Sequence, residues 1–375
     1  MKDYKIIIVG AGAAGIGFGS ALQQLGIEDY LILEKGSIGD SFLKWPRTTR
    51  FITPSFTTNG FGFPDINAVV PDTSPAFSFQ KEHLSGREYA EYLHLVAKHY
   101  DLRIETQTEV TSITSSQKGY QIETNRGTYQ AKYLIMATGE FQNPYRGEIE
   151  GGELAIHYGE VDSFYLQSED PFIVLGGNES GCDAFTSLAA MGNSVSLYTE
   201  DFGKSQVAPD PSIRLSPITQ EKLAEVDKNK VWDAHIYEEK TVTLIEKESG
   251  TYRVHFEDGT YAESQHQPVL ATGFRTCILN ILGDDLFQFT KDGIPMVNEK
   301  DESTLCHNVF LIGPSLRQKD VIFCYIYKFR QRFIPVIKEI AKREKWTLDP
   351  VVLDFYKDNQ MSLDDLSCCD VRCDC

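Results

Sequence analysis

Two glycine turns carry the spacing needed to hold phosphate. The first is Gly10-Ala11-Gly12-Ala13-Ala14-Gly15, in the run KIIIVGAGAAGIGFG. A strand-like apolar run enters it and a helix-like run leaves it. In this G-x-G-x-x-G spacing the first glycine allows a tight turn. The second lets the backbone approach a pyrophosphate, and the third lets the helix pack on the sheet. The start of the helix offers free N–H groups and a positive dipole end to phosphate oxygens. Glu34, with Lys35 beside it, ends the next strand-like run. A carboxylate there would accept hydrogen bonds from an adenosine ribose.

The second turn is Gly176-Gly177-Asn178-Glu179-Ser180-Gly181, in FIVLGGNESGCDAF. Asparagine stands where the middle glycine would be. Asn tolerates left-handed backbone better than other non-glycine residues, so the turn is expected to survive the change. The Asn178 amide, Ser180 and the helix N–H groups could all donate to a nucleotide, and Gly176, Asn178, Glu179, Ser180 and Gly181 are its candidate binding residues. A plain strand–turn–helix connection is the competing reading. An arginine just past the following strand would read a 2′-phosphate. Thr199-Glu200 stands there, with Lys204 as the nearest cation, so NADH and NADPH both stay open.

Eight cysteines give no Cys-x-x-Cys pair. Cys182, Cys277, Cys306 and Cys324 are scattered, and Cys182 reads as a core thiol. Cys368, Cys369, Cys373 and Cys375 crowd the end of the chain. That tract could hold a soft metal ion or shuttle thiols, or it could be an inert end. Its spacing is too tight for an ordinary structural zinc site.

These groups need elements to position them. Tyr4–Val9 reads as a buried parallel strand, because its apolar residues run together instead of alternating. A helix to about Leu25, stopped by Gly26, and a strand Tyr30–Leu33 complete a βαβ unit. Residues 36–80 are loop-rich, with many Pro and Phe, and segment 51–79 is a candidate lid. Ser85-Gly86-Arg87-Glu88 is a capping box opening a helix to about His99. Short β segments lead to a strand Tyr133–Met136 that ends in Ala137-Thr138-Gly139. From Phe172 the plan repeats: strand, glycine turn, helix, strand, hairpins, and a strand ending in Ala271-Thr272-Gly273. That internal repeat is the strongest organisational signal. A strand Val309–Ile312, then Gly313-Pro314, precedes a last helix. Its basic run Lys328–Lys345 reads as a solvated face interrupted by Pro335. Residues 346–375 look appended.

The 375 residues suffice for two or three domains. The net charge of −18 argues against general binding to nucleic acid or an anionic membrane surface. No segment is long and apolar enough to span a bilayer, and the expected location is cytoplasmic.

The quoted motifs resemble those of the flavoproteins with two dinucleotide-binding domains, and among them the flavin-containing monooxygenase-like group. The resemblance covers about residues 4–340. IIIVGAGAAG looks like the FAD turn, and LGGNESGCDA is similar to the group's second turn, acid Asp183 included. LIMATGEF and PVLATGFR look like its two Ala-Thr-Gly strand ends. TLCHNVFLIGP looks like the last FAD-contacting strand, ending at Gly313. GDSFLKWP is similar to the segment carrying Trp45 over the flavin. Val110 sits where the family places a backbone contact to adenine. Thr58-Asn59 resembles the Asn set near the flavin ring. Its competing reading is a turn residue before Gly60. Two features depart from the pattern. Pro314 stands where the family has an acid, and the monooxygenase signature around Gly151, Gly152 and His157 is not clean.

The resemblance implies an α/β fold with two Rossmann-like domains. A discontinuous FAD domain, residues 1–150 and 276–345, would hold an inserted NAD(P)H domain, 151–275, and 346–375 would be an extension. It implies FAD, NADPH or NADH, molecular oxygen and a small-molecule substrate, with oxygenation of a soft sulfur or nitrogen centre through a peroxyflavin. A homodimer is a further expectation. The rival in the same architecture is a disulfide or metal-ion reductase using the cysteine tail. Its bacillithiol-disulfide type carries a cysteine in the first glycine turn, where this chain has Ala14.

Overall fold

The computed structural model describes residues 2–56, 63–203 and 210–366. They form two compact units. The first comprises Met1–Leu43, Thr53–Asn143 and Arg275–Cys375, and the second comprises Lys44–Ile52 and Pro144–Phe274.

The first unit is built on a sheet whose centre is parallel. Lys2–Val9 lies between Tyr30–Leu33 and Gly127–Met136, and Val309–Leu311 pairs in parallel with the end of Gly127–Met136. Ile6, Ile7 and Ile8 are fully buried, as a continuous apolar run on a two-sided sheet should be. The registers Val9↔Leu33, Val9↔Met136 and Leu311↔Met136 stop four strands at one level. The residues that follow, Gly10, Glu34, Ala137 and Ile312, therefore share one edge, where ligands of open α/β sheets bind. The helix Ala13–Gln24 leaves that edge. The helix Gly86–His99 opens with the Ser85–Glu88 capping box.

The second unit repeats this on a smaller scale. Its five-stranded parallel sheet runs Ala234–Tyr237, Val195–Phe202, Phe172–Gly177, Val269–Leu270, Ile156–His157. An antiparallel three-stranded sheet, Val242–Glu248, Thr251–Phe256 and Tyr261–Ser264, supplies Ile245, Val254 and Phe256 to a core with Ile173, Leu175 and Leu270.

Two expectations are corrected at the C-terminal end. The basic run is not one solvated helix. Ile326–Phe329 is helical, Arg330–Arg332 is a 3₁₀ turn, and the last long helix is Phe333–Glu344. Pro335 falls in its first turn, where its missing N–H has no partner to lose, so nothing is interrupted. Arg330 and Arg332 are only 5% and 1% exposed. Arg330 donates to the Asp65 and Ala68 carbonyls, each at 2.6 Å, and burial brings its guanidinium down to about 10. Arg332 Nε donates to Asp301 Oδ2 at 2.7 Å, and Gln318 Nε2 to Asp301 Oδ1 at 2.6 Å. The second correction is that residues 346–366 are not merely appended. Tyr356 and Met361 are fully buried, and the Leu363 carbonyl accepts from Arg332 at 2.6 Å.

Glu344, closing the last helix, accepts from Lys5, Lys132 and Tyr133. Burial alone would raise its pKa, but these donors outweigh it and hold the carboxyl down to about 2. Stability from Glu344 is therefore present above its ordinary value of 4.5 and is lost as pH falls from there toward about 2. Glu344→Gln should flatten that part of an acid-unfolding curve followed by circular dichroism. Arg332→Met should cost about 3–5 kcal/mol in urea unfolding, because it strands the buried Asp301 carboxylate. Asp301→Asn added to it removes the charge while keeping the Gln318 contact and tolerating the φ of +61°; it should recover much of the loss, and a double variant no better than the single would refute this account.

Candidate dinucleotide sites

The first turn is shaped by what a side chain would strike. Gly10 has φ +109°, and a Cβ on it would lie 2.5 Å from the Ala137 carbonyl oxygen. A Cβ on Gly15 would overlap the Gly10 carbonyl oxygen. Gly12 differs: a Cβ there would meet nothing within 4 Å, and its φ is −82°. Gly10 and Gly15 are thus required by the protein itself. Gly12 leaves open space in front of a helix N-terminus that no side chain caps and no first-turn acid screens. Ala13, Ala14 and Gly15 form that first turn.

Glu34, 6% exposed, receives the Ala11 N–H at 2.7 Å on Oε2 and the Gly36 N–H at 2.8 Å on Oε1. Burial raises its pKa, and the two backbone donors oppose that. Lys35 beside it is exposed. Across the sheet edge, Thr138 Oγ1 is buried with no hydrogen-bond partner among the described residues, and Ser315 Oγ is buried beside the Glu140 carboxyl without a well-formed hydrogen bond to it. An orphan such as Thr138 Oγ1 is rare unless a ligand or water completes it. Gly139, at φ +68°, also faces open space, and a Cβ on Gly313, at φ +99°, would lie 3.2 Å from the Ala14 Cβ. Arg317 donates to the Pro314 and Leu316 carbonyls and so holds the turn that carries Ser315. Burial raises the pKa of Glu140, against the Arg317 charge and the Ser315 hydroxyl. Val110 is buried at the head of the strand Val110–Ser116.

The second turn reproduces the first. A Cβ on Gly176, at φ +119°, would lie 2.5 Å from the Ala271 carbonyl oxygen, and one on Gly181 would overlap the Gly176 carbonyl. Asn178 corrects the sequence argument. Its φ of −98° and ψ of −168° are extended backbone, so left-handed tolerance is not what admits it. It occupies the position that, as Gly12 shows, has no internal need of glycine. Glu179 is a second correction. Its carboxylate accepts from the Ser216 N–H, the Ser216 hydroxyl and the Thr219 hydroxyl. It ties two helix starts together, so only its backbone N–H, with that of Ser180, is left for a ligand. Thr272 Oγ1 donates to the Tyr145 carbonyl. Gly273 accepts from Tyr145 N at 3.0 Å and from His157 Nε2 at 2.9 Å. His157 is buried, with its pKa lowered by that burial, and its Nδ1 accepts the Gly159 N–H. It braces the strand end.

Asp183 accepts from Tyr158 at 2.7 Å and from Thr49 at 2.9 Å. This ties segment 44–52 into the second unit. Trp45 belongs to that segment, with its ring 5.1 Å from that of Phe51. Asn59, Lys204, Cys368, Cys369, Cys373 and Cys375 lie outside the described residues. Among the described residues no His, Cys, Asp and Glu cluster could hold a metal ion, and no helix is long and apolar enough to cross a membrane. Sequence reading missed Ser315 and Glu140. Glu140 directly follows the first Ala-Thr-Gly run, Ala137-Thr138-Gly139, but nothing in the motif marks it as buried, and Ser315 lies past the last quoted motif, singled out only by its burial at the sheet edge.

A family model described as pyridine nucleotide-disulphide oxidoreductase matches residues 7–313. The chain belongs to the pyridine nucleotide-disulphide oxidoreductase family. It is an FAD-dependent oxidoreductase of a family that uses NAD(P)H. It is 26% identical to the bacilliredoxin reductase of Bacillus subtilis (strain 168), over 92% of this chain and 99% of the relative. A bacillithiol disulfide reductase from Staphylococcus aureus superposes at a TM-score of 0.72 and 19% identity, over 92% of this chain and all of that one. A flavin-containing monooxygenase from Stenotrophomonas maltophilia does so at 0.71 and 15%, over 92% and 99%. The fold is the two-dinucleotide-domain fold of these flavoproteins.

The first site of this family member fits FAD on its own geometry: the uncapped helix start and the space at Gly12 suit a pyrophosphate, and Glu34 suits a ribose. The Thr138 hydroxyl awaits a donor or acceptor. Gly12→Val should keep the far-UV circular dichroism and lose flavin absorbance. Gly10→Val should lose both, because its Cβ collides with Ala137. Equal loss of structure in the two variants would contradict this division of roles.

Proposed function

We propose that the chain is an NAD(P)H-dependent FAD monooxygenase acting on a soft sulfur or nitrogen centre, with FAD at the first turn and the nicotinamide nucleotide at the second. The carrying observation is the residue at the head of the first helix. A disulfide reductase needs a thiol beside the flavin, and the helix start presents buried Ala14. Of the other described cysteines, Cys182 and Cys277 are buried in the manner of core thiols, and Cys306 and Cys324 are half-buried. FAD held at the first turn would supply hydride acceptance from the nicotinamide and two-electron activation of oxygen, with one oxygen atom entering the substrate and the other leaving as water. The chain's own residues hold the two nucleotides. Backbone N–H groups of the two helix starts would face the phosphates, Glu34 the ribose, and Thr138 and Ser315 the cofactor's polar flank.

The second reading is an NAD(P)H-dependent disulfide or metal-ion reductase served by the C-terminal cysteines, which lie outside the described residues. Its support is the full-length likeness to a bacilliredoxin reductase. Isotopically labelled oxygen discriminates. Label appearing in a thioether or amine product during NAD(P)H turnover is expected for the monooxygenase. Turnover with a low-molecular-weight disulfide that is unlabelled and disappears on deleting residues 367–375 would establish the reductase instead.

A further inference from the structure

The second repeat lacks the acid of the first. Val9 pairs with Leu33 ahead of Gly10 and Glu34. Leu175 pairs with Tyr198 ahead of Gly176 and Thr199. Thr199 therefore holds the place of Glu34, and its side chain lies against Gly177, where a Cβ would be 2.5 Å from Oγ1. A carboxylate at this place would accept from the ribose 2′-hydroxyl and repel a 2′-phosphate. A buried neutral hydroxyl does neither.

A cation reaches this neighbourhood from a later part of the chain. The bonds from Ser216 and Thr219 to Glu179 fasten the start of helix Pro217–Lys228 to the glycine turn. Leu215 is drawn in with it: a Cβ on Gly203 would lie 3.1 Å from Leu215 Cδ2 and 2.5 Å from Asn178 Oδ1. Arg214 is the next residue. It is exposed, and its side chain makes no ion pair or hydrogen bond among the described residues. With Leu215, Pro217, Gln220, Glu221 and Ala224 it lines an open pocket of about 380 Å³. The nearby acids are Asp210 in the same turn, which accepts from the Ser212 N–H, Glu179 bound to Ser216, Glu200 and Asp201, both exposed on the strand Val195–Phe202, and Glu221 in the pocket wall. An unpaired guanidinium stands out in a chain of net charge −18.

We propose that Arg214 binds the 2′-phosphate of the adenosine half of NADPH, with Thr199 removing the acid that would oppose it, so that the second site selects NADPH over NADH. Guanidinium matches phosphate with two parallel N–H donors, and its plane can stack on adenine. This rests on the proposed reading that the second turn takes the nicotinamide nucleotide.

The test is calorimetric binding of NADP+ and NAD+ to the FAD-loaded full chain, with no turnover involved. NADP+ should bind at least about tenfold more tightly, the scale of one charge-assisted contact, and the margin should shrink with added salt. Arg214→Gln should weaken NADP+ by about tenfold and leave NAD+ within about twofold, and Arg214→Lys should restore part of the loss. NAD+ binding as tightly as NADP+ in the unaltered chain, or a Gln variant that weakens both alike, overturns the proposal while leaving the nucleotide site in place. If neither nucleotide binds the FAD-loaded chain, the assignment of the second turn falls too.

Discussion

The contact between a glycine and a carbonyl oxygen across the end of a parallel strand pair is the constraint on which both units depend. Gly10 under the Ala137 carbonyl and Gly176 under the Ala271 carbonyl leave room for hydrogen and for nothing larger. The close approach turns the chain sharply out of the strand, and Gly15 and Gly181 then let the helix settle over the same turn. The helix start consequently points its unpaired N–H groups along the sheet edge, where a phosphate can meet them. Each unit thus acquires an anion-receptive edge from backbone sterics, before any charged side chain is considered.

Charge is handled differently. The chain is strongly acidic, yet two of its arginines are spent inside the first unit. Arg330 satisfies the carbonyls of a loop that has no ladder of its own, and Arg332 with Gln318 encloses Asp301. Buried ions of this kind contribute little net stability but strongly disfavour arrangements that separate them. They anchor residues 65–68 and the segment around Leu363 to the helical end of the unit.

Much of this was legible in the residues. The apolar runs at Ile6–Ile8 and Phe172–Leu175 announced buried parallel strands, because burial on both faces removes alternation. The glycine spacing announced both turns, and Ser85-x-x-Glu88 announced its capping box, since these signals are local. What misled was long-range. Lys328–Lys345 read as a wet helix face because nothing in a basic run reveals that Asp301 or the residue 65–68 carbonyls will enclose it. Glu179 read as a ligand because its partners lie 37 and 40 residues away. Asn178 fits for a reason that its residue type does not show: its backbone is extended and its place is free of steric demand, which only the neighbouring atoms disclose. The unit boundaries differ for the same cause. Lys44–Ile52 joins the second unit through Thr49 and Asp183, a contact separated by 134 residues.

The way the chain passes between the units bears on the order in which it can be completed during synthesis. Every residue of the second unit has been made once Phe274 emerges. The first unit at that moment still lacks Val309–Leu311, which flanks its central sheet, the Arg332 that encloses Asp301, and the buried Tyr356. The inserted unit can therefore close while its host is open. The host's long-range pairings, slow to form because the loops they close are large, come last, and a ribosome stalled beyond residue 274 would carry one finished nucleotide fold and one unfinished.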